Sequence, residues 1–181
     1  MIRDEELCRQ MQEGNEAALE ALVHRHQQAV FAYLYRMTGD AHTADDLTQE
    51  SFIRLCTRIH SYRYPEPFRP WLYTISANLQ KDWRKNAYHR HVLPQEPPDG
   101  PSPVDLLDRF ASRAEVVDAL NQLDDGHRSV LYLRFYHDLT VEQIARVEGI
   151  PAGTVKSRLS TALRRLRQYL TAERGVQNAT D

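Results

Sequence analysis

Five prolines fall within thirteen residues, at positions 94, 97, 98, 101 and 103, and no compact element can run through them. Proline lacks an amide donor and its ring clashes with the preceding helical turn, so helix interior is excluded here. The stretch Leu93–Asp105 is also poor in apolar residues and carries Glu96, Asp99 and Asp105. It reads as an extended linker with polyproline character. About 90 residues precede it and about 75 follow, each enough for one small core. The expected plan is a domain over 1–92, a flexible linker over 93–112, a second domain over 113–174 and a short polar tail, 175–181.

On either side of the prolines the apolar period is helical. From Asn15, the residues Ala18, Leu19, Leu22, Val23, Val30 and Leu34 recur at three- and four-residue steps as far as Gly39, a natural helix stop. Asp40 then offers a cap for a helix whose stripe is Ala44, Leu47, Ser51, Phe52, Leu55 and Ile59. After a break at Pro65–Pro70 comes a stripe of Trp71, Leu72, Ile75, Leu79 and Trp83. Val116, Leu120 and Leu123 mark one helix beyond the linker, and Val130 to Phe135 another. Nothing alternates long enough to argue a strand, so the expected class is all-α, two small helical domains.

Near the C-terminus, Thr140-Val-Glu-Gln143 has the capping-box pattern and opens a short helix, Val141–Val147. Gly149, Ile150 and Pro151 follow, then a long helix from about Ala152 to Leu170 with Val155, Leu159, Ala162, Leu163, Leu166 and Leu170 in its stripe. Ala145 lets two helices approach, Gly149 permits a tight turn, and Val155 packs beneath the second helix, as in a helix-turn-helix over 140–160. A plain helical hairpin fits the same three residues. Charge favours DNA: Ala152–Arg174 holds Lys156, Arg158, Arg164, Arg165, Arg167 and Arg174 against Glu173 alone. Thr154, Lys156, Ser157, Arg158 and Thr161 can donate to phosphates and to base edges in a major groove.

The first domain has its own basic stretch. Lys81–His91 carries four cations against Asp82, interleaved with Trp83 and Tyr88, a mixture suited to single-stranded nucleic acid. The two tryptophans, Trp71 and Trp83, nonetheless sit on the apolar stripe and suit a core better than a base platform. The Tyr62–Arg69 loop is aromatic and basic; it is a recognition loop or merely a connector. Asp45, Asp46, Gln49 and Glu50 open the second helix, where its dipole favours acids. They offer a docking face for a basic partner or, with too few ligands to be convincing, a weak divalent site.

In order, Asp46-Leu-x-Gln-Glu-x-Phe52, Trp71-Leu-Tyr-x-Ile75-x-x-Asn78-x-x-x-Asp82-x-Arg84, a variable linker, Thr140-x-x-Gln-Ile-Ala145 and Gly153-Thr-Val-Lys-Ser-Arg-Leu159 resemble the extracytoplasmic-function sigma factors of bacterial RNA polymerase. The resemblance covers nearly the whole chain. It implies a sigma-70 family subunit that binds polymerase core and directs promoter-specific initiation. Asp45, Asp46, Leu47, Gln49, Glu50 and Phe52 would dock on the β′ clamp of the core, which also offers its β subunit. Tyr62, Arg63, Arg69, Trp71, Asn78, Lys81, Arg84 and Lys85 would read the −10 element as its strands separate. Thr154, Lys156, Ser157, Arg158, Thr161 and Arg164 would read the −35 element in the duplex. The linker would thread toward the polymerase active site and RNA exit. The sequence departs from the family's pattern at Thr161, where a further arginine often stands. The resemblance also implies control by an anti-sigma factor able to hold the protein at the inner face of the membrane.

Other classes fare worse. An autonomous helix-turn-helix regulator binding a palindrome as a dimer would need neither the acidic helix nor the basic-aromatic segment. For an enzyme there is no nucleophile–base pair or Gly-rich phosphate loop, and His24 and His26 cannot share a helical face. No catalytic residue, metal site or cofactor is expected. Cys8 and Cys56 are too few for a disulfide framework. The longest apolar run, Ala29–Tyr35, falls far short of the ~20 residues that span a bilayer, and Met-Ile-Arg-Asp-Glu-Glu is no signal sequence, so a cytoplasmic location is expected. The formal charge of −2 excludes nothing, because it sums two basic segments and an acidic remainder. That remainder should suppress non-specific DNA binding.

Overall fold

A computed structural model describes residues 2–87 and 113–177. The proline linker, Tyr88–His91 and the last four residues of the tail lie outside them. The chain divides into two compact units, Met1–Asp99 and Gly100–Asp181, and among the described residues every regular element is helical.

The first unit holds α1 (Asp4–Gln12), α2 (Glu16–Thr38), α3 (Ala41–Arg58), a 3-10 turn (Ile59–Ser61) and α4 (Phe68–Ala87). Asn15 caps α2, its side chain accepting the Ala17 amide at 3.1 Å. Gly39 ends that helix with φ of 73°, left-handed backbone that costs glycine nothing. Asp40 caps α3 in turn, accepting the Thr43 amide at 2.7 Å. Helix stop and helix start are therefore adjacent residues, and α2 and α3 fold back on each other. Leu22, Val30, Leu34, Leu55 and Leu72 are fully buried between α2, α3 and α4, each contributing about 1.5–3 kcal/mol against exposure. Phe68 and Pro70 lie inside the first turn of α4, so the proline stretch expected to be a break partly belongs to the helix. A first-turn residue needs no amide partner, which is why Pro70 is tolerated. α1 was not expected at all. It buries Leu7 and Cys8 and packs on α2, on the 3-10 turn and on α4.

The second unit holds α5 (Arg113–Asn121), α6 (Asp125–Phe135), α7 (Val141–Glu148) and α8 (Ala152–Gln177). α8 packs on the other three. Val130, Leu133, Ile144, Val155, Ala162 and Leu166 form the shared core. Asp124 caps α6, accepting the His127 amide at 3.2 Å, and Ser129 of α6 donates to Glu148 of α7 at 2.5 Å.

Candidate nucleic-acid and polymerase interfaces

The turn between α7 and α8 is fixed by its own sequence. Both arms of the capping box form: Thr140 accepts the Gln143 amide at 3.2 Å, and the Gln143 side chain accepts the Thr140 amide at 2.8 Å. Gly149 closes α7 at φ of 68°, and the Ile150 amide returns to the Ala145 carbonyl at 3.1 Å. Val155, in the first turn of α8, is wholly buried. These contacts leave Lys156, Ser157 and Arg164 exposed along α8, with Thr154, Arg158 and Thr161 half-buried. The Ser157 hydroxyl turns back to the Thr154 carbonyl at 3.0 Å.

Two cations of α8 are engaged within the unit. The Arg158 guanidinium lies over Gly126 of α6, so closely that a Cβ there would sit 2.9 Å from Nη1. Arg165, seven residues on and therefore on the same helical face, donates to Asp124 at 3.0 Å. Burial pushes the Asp124 carboxyl up, but hydrogen bonds from the His127 amide and ring and from Arg165 outweigh it and hold the group below the usual carboxylate range. The start of α6 thus receives two arginines of α8, an arrangement invisible in the spacing of either helix.

In the first unit, α3 turns Asp45, Asp46 and Gln49 outward, with Glu50 and Leu47 at the edge. Gln49 donates to Asp45 at 2.8 Å and Arg54 to Glu50 at 2.8 Å. Phe52 faces the interior, 8% exposed, while Ile53 beside it is 56% exposed and puts an apolar spot next to the acids. Sequence periodicity placed Phe52 on the apolar stripe; it did not single out Ile53.

The loop between the 3-10 turn and α4 divides its aromatic residues. Tyr62 is buried, its ring 5.1 Å from that of Trp71 and its hydroxyl bonded to the Glu66 carbonyl. Arg63 and Tyr64 are exposed, and the Arg9 guanidinium stands over the Tyr64 ring, 5.8 Å from its centroid. Tyr64 lies in the loop that the sequence offered as a recognition segment, but no period orders side chains in a loop, so its exposure beside buried Tyr62 could not be read there. Arg69 is half-buried and interacts with Tyr73, whose phenol is nonetheless pushed upward by burial. Along α4, Asn78, Lys81 and Lys85 share one face at i, i+3 and i+7, with Arg84 exposed beside them.

His26 is tied to Asp4 at 2.7 Å and packs on the Phe68 ring. Among the described residues no group of three His, Cys, Asp or Glu is placed to hold a metal ion, and no helix is long and apolar enough to cross a membrane.

The sequence profile of sigma-70 region 2 matches residues 22–90, and that of sigma-70 region 4 matches residues 119–168. The chain is also 37% identical over 164 residues to the ECF RNA polymerase sigma factor SigL of Mycobacterium tuberculosis, covering 85% of this chain and 89% of that protein. The chain belongs to the extracytoplasmic-function sigma factors of the sigma-70 family. This sigma factor is 28% identical over 175 residues to SigW of Bacillus subtilis, covering 90% and 94% of the two chains. Its fold resembles CnrH, solved in complex with the cytosolic domain of CnrY, with a TM-score of 0.71, 26% identity and coverage of 93% and 97%. It also resembles the sigma factor RpoE of Bartonella quintana, with a TM-score of 0.69, 22% identity and coverage of 84% and 96%. The two profile matches fall one in each compact unit, the first from within α2 through α4 and the second from the end of α5 into α8.

Proposed function

We propose that this sigma factor docks on polymerase core through the outward acids of α3, namely Asp45, Asp46, Gln49 and Glu50, with Leu47 and Ile53 as the apolar part of the contact. Phe52 supports that face from inside. The −10 element is read by the 62–69 loop and by Asn78, Lys81, Arg84 and Lys85 of α4. The −35 element is read by Thr154, Lys156, Ser157, Thr161 and Arg164 of α8, with Arg158 at the edge of that surface. Residues 1–92 then act as region 2 and 113–174 as region 4, with 93–112 between them.

The observation that carries this reading is the α7–turn–α8 geometry, whose capped, glycine-closed corner turns a basic helix outward. It accounts for phosphate and base contacts that are individually modest, about 1–3 kcal/mol of discrimination per good base contact. Two such sites gain strength when both bind one DNA at a fixed separation, and polymerase core fixes it. The subunit supplies recognition and no bond chemistry, and it works on the side of the membrane where polymerase is. An anti-sigma protein that covers these faces regulates it; the related CnrH was solved with the cytosolic domain of CnrY bound.

Gel shift and run-off transcription, each with and without polymerase core, test the reading. Promoter-specific binding and transcripts should appear only with core. Tight, promoter-specific binding by the free chain would sink it.

A further inference from the structure

Three side chains of α1 reach a single loop, from positions 5, 9 and 12, which lie on one helical face. Glu5 accepts the amide of Phe68 at 3.2 Å. Arg9 stands over the ring of Tyr64 at 5.8 Å. Gln12 donates to two carbonyls, those of Ile59 at 2.8 Å and Tyr62 at 2.9 Å. Together these contacts span the loop from the 3-10 turn to the first residue of α4. The loop is also tied within itself, by the Tyr62 hydroxyl on the Glu66 carbonyl, the Glu66 amide on the Arg63 carbonyl at 2.8 Å, and Tyr62 against Trp71. Held outside this frame are Arg63 and the Tyr64 ring, the latter 43% exposed.

We infer that Glu5, Arg9 and Gln12 are positioning residues of the −10 reader, and that they present Tyr64 as a ring on which one unstacked base of the opened promoter stacks. The inference rests on the reading of the 62–69 loop proposed above. A loop that must be ordered at the moment of binding loses affinity to that ordering, whereas one already held does not. Gln12 bridges two backbone carbonyls, that of Tyr62 and that of Ile59, which also accepts the Tyr62 amide at 3.0 Å, so it fixes the main chain on the N-terminal side of Tyr64. Arg9 over one face of the ring fixes its tilt and leaves the remaining surface to a base, whose π-face stacks on an aromatic side chain whatever its identity.

The test uses holoenzyme reconstituted from the full chain and polymerase core, with 2-aminopurine in the non-template strand of the −10 element reporting base unstacking. Gln12→Glu keeps the side-chain shape but sets a carboxylate against two carbonyls. Two lost hydrogen bonds of ordinary net strength predict a roughly tenfold fall in open-complex formation, with core affinity and −35 duplex binding unchanged. Tyr64→Ala should fall by a similar factor, and Tyr64→Phe should restore the wild-type level because it keeps the ring. With an abasic site moved through the −10 positions in turn, one position should bring the wild type down to Tyr64→Ala, and Gln12→Glu should cost nothing more there. A Gln12→Glu defect equal on every template, or accompanied by weaker core binding, marks a merely structural role and overturns the inference. Arg63→Ala separates the two levels. If its defect changes with the position of the abasic site while those of Gln12→Glu and Tyr64→Ala do not, this inference falls and the loop remains the reader. If none of the three changes with that position, the reading of the loop falls as well.

Discussion

Replacing Gly149 by alanine isolates one physical quantity, the cost of left-handed backbone. A Cβ at Gly149 would meet nothing within 4 Å, so packing contributes no penalty. What remains is φ of 68°, which costs an L-residue roughly 1–2 kcal/mol. Alanine also stiffens the unfolded chain and recovers part of that, about 0.4–1 kcal/mol. The net expectation is a loss of about 1 kcal/mol, or ~4–8 °C in the melting temperature of a domain this small. Asparagine tolerates the left-handed region better, so Gly149→Asn should lose less than Gly149→Ala. The assay is helped by composition. The two tryptophans, Trp71 and Trp83, both lie in the Met1–Asp99 unit, so their fluorescence follows that unit while circular dichroism at 222 nm follows both. The Gly149→Ala shift should appear in the dichroism and be absent from the fluorescence. Equal losses for alanine and asparagine, or a shift in the tryptophan transition, would refute the reasoning.

Acid should act on α3 through its cap: the hydrogen bonds from Thr43 hold Asp40 below the usual carboxylate range, so its contribution is complete above about pH 4 and fades as pH falls through the lower folded-state value. Asp40→Asn, which keeps an acceptor without the charge, should flatten that acid limb in dichroism melts between pH 2 and 6 while changing little at neutral pH. Gly126→Ala should displace the Arg158 guanidinium at about 1 kcal/mol, the low end for overpacking, because the clash is with the end of a flexible side chain. Run-off transcription from a −35-dependent promoter should fall accordingly, and the Gly126→Ala, Arg158→Ala double variant should be no worse than Arg158→Ala alone; additive losses would show that the two residues are unconnected.

What was legible in the sequence was what is decided within four residues. Gly39, Asp40, the Thr140–Gln143 box and Gly149 each announce a helix end through a local hydrogen bond or a local φ, and each does so in the structure. The α2, α3 and α8 stripes were legible for the same reason, since burial repeats with the helical turn, except that Leu163, counted in the α8 stripe, is 42% exposed. α1 was not legible because it is nine residues long and buries only Leu7 and Cys8. The first turn of α4 was hidden by Pro70, whose missing amide matters only deeper in a helix. At the candidate sites, residue types were readable but their directions were not. Tyr62 and Tyr64 differ in exposure through contacts made with α1 and Trp71, and the seat of Arg158 lies thirty-two positions earlier in the chain.

α1 also separates two meanings of a domain boundary. The region 2 profile begins at residue 22, and a fragment cut to residues 22–90 would contain the α3 acids, the loop and α4. It would leave the carbonyls of Ile59 and Tyr62 without Gln12, the Phe68 amide without Glu5, and the Tyr64 ring without Arg9. Such a fragment should still bind polymerase core while opening promoters poorly. The segment that matches region 2 is therefore shorter than the shortest piece whose loop is held.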